Sequence, residues 1–270
     1  MVSRKTYKTQ GVVLKQTPIG EADRVLSILT PDLGKVRVVA RGVRRTKSRL
    51  AGHLEPLSQV SISVSRGRTL DAINEAETLR SFRALREDLR RVSEGVYLAE
   101  LVESFSVEEQ PNLAIYNLLL DALEWLETSE AATQGIRCFE MQLLDHSGFG
   151  PELHQCVECR STLEPGDYLF SSARGGVICG RCKTMSGDAL LPLSMNANKV
   201  LRYFQREELQ SAASLEVPPA ILSEIDRLLR TYIRFVLERE LKSAEFVELV
   251  ARQSSAQDMG SHGGVAPSQG

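Results

Sequence analysis

No stretch of this chain approaches the ~18 to 20 uninterrupted apolar residues that a membrane span requires. The opening MVSRKTYKTQ is polar and charged where a secretory signal would be apolar, so a protein that stays in the cytoplasm, with no membrane contact, is expected. The phosphate-cradling motif GxxxxGK(S/T) is absent, as are HExxH and GxSxG. The carboxylate pair Glu108 and Glu109 reads as ordinary helix surface, and His53, His146, His154 and His262 are scattered, so an enzyme is not expected. Aromatic residues make up only 6% of the chain, and Tyr7 is the only one before Phe82.

What is present is unevenly distributed. At 270 residues and 42% hydrophobic, the chain can bury ordinary cores in one or two domains plus a small module. Its net charge is only -2, yet the first 70 residues hold fourteen Lys plus Arg against four Asp plus Glu, a net of +10, leaving -12 for the remainder. Such polarity points to a nucleic-acid surface on the basic part. The excess concentrates in GKVRVVARGVRRTKSR, residues 34–49, where Lys35, Arg37, Arg41, Arg44, Arg45, Lys47 and Arg49 occur with no carboxylate between Asp32 and Glu55. Alternation predicts a strand with Val36, Val38 and Ala40 inward and Lys35, Arg37, Val39 and Arg41 on the other face, followed by a basic loop.

The first eighty residues read as five strands, 7–17, 22–30, 34–43, 56–66 and 70–79, separated by turn residues. Five such strands suit a small antiparallel barrel, either an oligonucleotide-binding (OB) fold or an SH3-like one, and periodicity does not separate the two. A helical period follows. Leu85, Leu89, Val92, Val96, Ala99 and Val102 form one stripe; Leu113, Tyr116, Leu120, Leu123 and Leu126 a second; a third helix runs 132–146. Helices resume at 196–210 and, after Pro218-Pro219, continue through Ile221, Ile225, Leu228, Tyr232 and Val236 to Val250. Arg227, Arg230 and Arg234 there read as a solvated stripe. The expected organisation is a barrel domain (1–80), a helical domain (81–150 and 192–252), a cysteine-bearing insertion (151–191) and a disordered tail (253–270).

Four of the five cysteines form two CxxC knuckles, Cys156/Cys159 and Cys179/Cys182, with nineteen residues between them. In a chain with no export signal that spacing points to a metal site rather than disulfides. Zn²⁺ suits four thiolates, and the coordination is then closed, so the role is structural. An iron–sulfur cluster and a redox dithiol are the alternatives. Residues 167–170 and 176–178 can form a hairpin between the knuckles, and Arg160, Arg181 and Lys183 can offset the thiolate charge. His154 reads as a surface histidine and Cys138 as a buried thiol.

The stretch YKTQGVVLKQTPIGEADRVLSILTPDLGKVRVVARGVRR, then LLDHSGFGPELHQCVEC with YLFSSARGGVICGRC, and finally ERELKSAEF, resemble in this order three segments of the bacterial DNA repair protein RecO family. Arg160 occupies a position where that family often has Gly. The resemblance implies an OB-fold domain, a helical domain and a zinc-binding insertion in a nucleoid-associated recombination mediator with no catalytic residue. Such proteins bind single- and double-stranded DNA, anneal complementary strands, and act with RecR and the single-strand-binding protein to place RecA on gapped DNA.

The residues expected to hold phosphates are the seven cations named above with Arg66 and Arg68 of the next turn. With Tyr7 alone available for stacking, electrostatics should dominate. A second reading is a protein-interaction scaffold whose basic barrel meets acidic partners.

Overall fold

The computed structural model describes residues 6–128, 132–183, 189–247, 249–250 and 253. Five strands, β1 (Thr6–Ile19), β2 (Asp23–Thr30), β3 (Gly34–Ala40), β4 (Gln59–Ser65) and β5 (Asp71–Arg80), close into a barrel in the order β1-β2-β3-β5-β4, with β4 returning to β1. All neighbours are antiparallel except β3 and β5, which run parallel through Val38–Asp71 and Val39–Ala72. This closed five-stranded barrel is an OB fold, a choice that strand periodicity alone leaves open. A register shift between Val13 and Lys15 bends β1, so that its first half pairs with β4 and its second with β2. Alternation in β4 points Val60, Ile62 and Val64 into a core shared with Leu26, Ile28, Val36 and Val38.

The outer face of β3 differs from the expected cationic stripe. Lys35 and Val39 are each only 9% exposed. Chain beyond the barrel covers Lys35: its Nζ donates to the Glu103 carbonyl at 2.6 Å, and its own carbonyl accepts from Glu109 N at 3.0 Å. The strand also stops at Ala40, three residues short of Val43, because Gly42 turns the chain at φ +63.

The predicted first helix is two: α1 (Arg83–Arg86) and α2 (Leu89–Phe105). Asp88 breaks them apart and caps α2, accepting from the backbone of Arg90 and Arg91. The break rotates the stripe. Leu89 and Val96 are exposed, whereas Tyr97, Leu98 and Leu101 face the core with Leu85, Ala99 and Val102. Helices α3 (Leu113–Thr128) and α4 (Ala132–His146) follow as expected, although Leu113 lies outside the core. Glu108 and Glu109 lie in the loop between α2 and α3 and not on a helix.

The cysteine segment adds β6 (Tyr168–Ser171), β7 (Gly176–Ile178) and β8 (Leu190–Leu193), so the expected hairpin gains a third strand, with β6 central. Then come α5 (Met195–Arg206), α6 (Leu209–Ala213) and α7 (Pro219–Leu237). The single helix expected over 196–210 is divided between α5 and α6, and that expected to reach Val250 ends at Leu237. Glu238 there adopts a left-handed conformation, φ +52, and helix resumes at residue 242. Apart from Gln253, the tail expected to be disordered lies outside the described residues.

One apolar core joins the parts. Val12, Leu14 and Leu29 from the barrel, Phe170, Val177 and Leu193 from the small sheet, and the helix faces share it. Inside it, buried Arg137 bridges Glu140 and Asp226, each at 2.9 Å, while Tyr97 donates to Glu140 at 2.5 Å. Burial of a charge is tolerated there because opposite charges and hydrogen bonds replace water. The result fastens α2, α4 and α7 together.

Candidate nucleic-acid interface and metal centre

Barrel register fixes where each basic loop leaves its strands. Asp71, which opens β5, pairs with Val38 of β3, and Ser65, which ends β4, pairs with Ala72. The 66–70 turn therefore enters β5 beside Val38, and because β3 and β5 run parallel it leaves the pair in the direction opposite to the loop that follows Ala40. Arg24, second in β2, pairs with Ala40, so the β1–β2 turn adjoins the loop that follows β3. In this fold those inter-strand loops commonly hold oligonucleotides.

Two carboxylates shape these loops from below. Asp23 accepts from Gly42 N at 2.7 Å, and Arg44 N donates to the Ala22 carbonyl at 2.9 Å. Asp71 accepts from Gly67 N at 2.9 Å and from the Tyr7 hydroxyl at 3.1 Å. Burial first, then that carboxylate, pushes the Tyr7 hydroxyl up to about 12. Asp23 and Asp71 thus serve as loop braces, whereas Glu21 of the β1–β2 turn is exposed like the neighbouring cations.

Among the described residues, Arg41, Arg44, Arg45, Lys47, Arg49 and Arg68 are exposed and make no side-chain hydrogen bond or ion pair. Arg66 stacks over the Tyr7 ring at 5.5 Å. Arg37 faces Glu108 at 3.8 Å with both side chains half exposed, an interaction of little strength in water. Lys35 stands apart, buried against α2. Lys8, which precedes the basic run, is exposed on β1 opposite Ser63. Of the stripe on α7, Arg230 pairs with Asp226 at 2.9 Å and Arg234 with Glu240 at 3.2 Å, while Arg227 is exposed.

The two knuckles converge as their spacing implies. The thiol sulfurs of Cys156, Cys159, Cys179 and Cys182 all lie within 4.8 Å of one another. A tetrahedral ion with Zn–S bonds of about 2.3 Å requires sulfur–sulfur edges of about 3.8 Å, and Cys159 Sγ lies 3.8 Å from Cys179 Sγ. The cysteines are unbonded to one another, so the arrangement fits a metal and not a disulfide. Backbone supports it: Cys179 N donates to Cys156 Sγ at 3.4 Å. Hydrogen bonds from the Ser161 hydroxyl and backbone hold the exposed Cys159 thiol down at about 6. Arg160 has φ +59, a left-handed conformation that glycine adopts at least cost. His154 is exposed and outside the cluster, and Cys138 is fully buried, which pushes its thiol up to about 12.

Comparison with known proteins agrees with this architecture along nearly the whole chain. Residues 2–82 match the family described as Recombination protein O N terminal, and residues 86–245 match Recombination protein O C terminal. A DNA repair protein RecO of Dehalococcoides mccartyi is 40% identical over 253 residues, 93% of this chain and 99% of the relative. Another from Roseiflexus is 38% identical over 260 residues, 95% of this chain and 91% of the relative. One from Symbiobacterium thermophilum is 36% identical over 245 residues, 90% and 96% respectively. No helix among the described residues is long and apolar enough to cross a membrane. An OB-fold barrel carrying a free basic rim, joined to helices that bear a four-cysteine cluster, together with these matches, places the chain in the RecO family of DNA repair proteins.

Proposed function

We propose that this protein is a recombination mediator that grips single- and double-stranded DNA by its phosphates, anneals complementary strands, and acts with RecR and the single-strand-binding protein to place RecA on gapped DNA. The observation that carries the reading is the rim of unpartnered cations, Arg41, Arg44, Arg45, Lys47, Arg49 and Arg68, beside Arg66. Guanidinium and ammonium groups of this kind release counterions on binding and read no bases. They also lower the repulsion between two strands, which gives annealing a basis without nucleotide hydrolysis. Zn²⁺ held by Cys156, Cys159, Cys179 and Cys182 supplies cross-linking of the module and no chemistry, since four thiolates leave no open position.

If about five phosphates are neutralised, single-strand affinity falls with a log–log salt slope of roughly -3.5. Changing Arg41, Arg44, Arg45 and Lys47 together to Ala weakens binding and flattens that slope while metal content stays intact. Unchanged affinity in a fluorescence-anisotropy titration of that variant rejects the rim as the DNA site.

A further inference from the structure

Helix α5 carries Lys199, Arg202 and Arg206 and not one carboxylate, in the part of the chain whose net charge is -12. Spacings of three and four put these cations on one face. Lys199 and Arg206 are exposed, Arg202 is half-buried, and none makes a hydrogen bond or ion pair among the described residues. The adjoining stripe grips the chain entering the metal module: Asn198 Nδ2 donates to the Leu153 carbonyl at 3.3 Å and Gln205 Nε2 to the Pro151 carbonyl at 3.4 Å. The cationic face therefore borders the cysteine module.

The nearby acids keep their charge but form no ion pair with these cations among the described residues. Asp145 accepts from Gln205 at 3.1 Å, and Glu152 accepts from the backbone of His154 at 2.7 Å and of Gln155 at 3.2 Å. Glu207 and Glu208 follow the helix and set the limit of the basic strip. Helix α5 packs on α4, α6 and α7, and Ser194 at its start is held by Glu224 of α7. It is thus rigidly mounted, and its neighbours are helices rather than barrel strands.

We infer that the α5 face is a second site for the phosphates of a DNA strand, separate from the barrel rim. The inference deepens the DNA-binding reading proposed above and rests on it. Charge complementarity selects the occupant: three cations on one helix face without ion-pair partners suit a polyanion, and the spacing along the helix spans successive backbone charges. Two separate holds would let one molecule keep two strands at once, which is the geometry that annealing needs.

The test uses four full-length proteins: wild type, the barrel variant (Arg41, Arg44, Arg45 and Lys47 to Ala), an α5 variant (Lys199→Gln, Arg202→Gln and Arg206→Gln), and the combination. A Lys199→Gln/Arg206→Gln pair, both exposed positions, replaces the triple variant if circular dichroism shows misfolding. Stoichiometric titration with a labelled single strand, followed by addition of its complement, reads strands held and annealing rate. The expected result is two strands held by wild type, one by the α5 variant and slow annealing. In the barrel-variant background, the α5 changes also reduce the salt slope by about 2, near 0.7 for each of three phosphates. An α5 variant that still holds two strands and anneals at the wild-type rate overturns the inference. A barrel variant that behaves as wild type while the α5 variant loses a strand overturns the rim site and leaves this one standing.

Discussion

Lys35 donates through Nζ to the carbonyl oxygen of Glu103 at 2.6 Å, tying the first cation of the basic run to helix α2. Ser27 on the adjacent strand hydrogen-bonds the Glu103 side chain, so a single turn of helix is pinned to β2 and β3. Lys35→Ala is expected to lower stability by about 1 to 3 kcal/mol, the cost of losing a charged hydrogen bond and leaving its acceptor alone. The salt slope of oligonucleotide binding should not change. Urea denaturation and an anisotropy titration of the same variant separate the two effects.

Arg160 pays a conformational penalty at φ +59. Replacing it by Gly is expected to stabilise the first knuckle by about 1 kcal/mol, and replacing it by Val to destabilise it. The rate at which a chelator strips the metal measures this, slower for Gly and faster for Val. Equal rates for all three proteins refute the strain.

Loss of the metal should be felt in the helices before the barrel. Phe170 of the small sheet packs against Tyr232 of α7 at 5.3 Å, and Val177 and Leu193 enter the same core, whereas the barrel interior is a separate cluster. Native mass spectrometry is expected to find one Zn²⁺ per wild-type chain and none in Cys156→Ser. The variant should expose α7 to hydrogen exchange while β2 and β3 stay protected.

Glu94 lies almost wholly buried on α2, 5% exposed, and burial raises its carboxyl from 4.5 to about 7 despite Arg90 at 3.7 Å. A raised carboxyl binds more protons folded than unfolded, so stability falls as pH rises from about 4.5 to about 7, and the penalty is complete above that. Glu94→Gln is expected to gain about 2 kcal/mol at pH 8 and almost nothing at pH 4. Urea melts at the two pH values decide it; an equal effect at both contradicts the buried-acid account.

Several features were legible because they are local. Alternation in β4 and the apolar stripes of α3 and α7 report a face that a short segment must bury. The cysteine spacing reports its own geometry: each knuckle is one tight turn, so Cys156/Cys159 and Cys179/Cys182 need only meet. The stripe through Leu85, Leu89, Val92 and Val96 misled because Asp88 ends one helix and starts another, and a period carried across a break names the wrong face.

Residue order by itself determined the five barrel strands, the α3 and α4 helices, a cationic front and four thiols paired for a metal. It did so because charge and periodicity are properties of neighbouring residues. Only the tertiary structure decided that the strands close as an OB fold through the parallel β3–β5 pair. It alone distinguished Lys35, buried against α2, from Arg41 and Arg44 on the open rim, and set the α5 cations beside the metal module. Those outcomes depend on which distant segments come to cover one another, and no short window of residues contains that information.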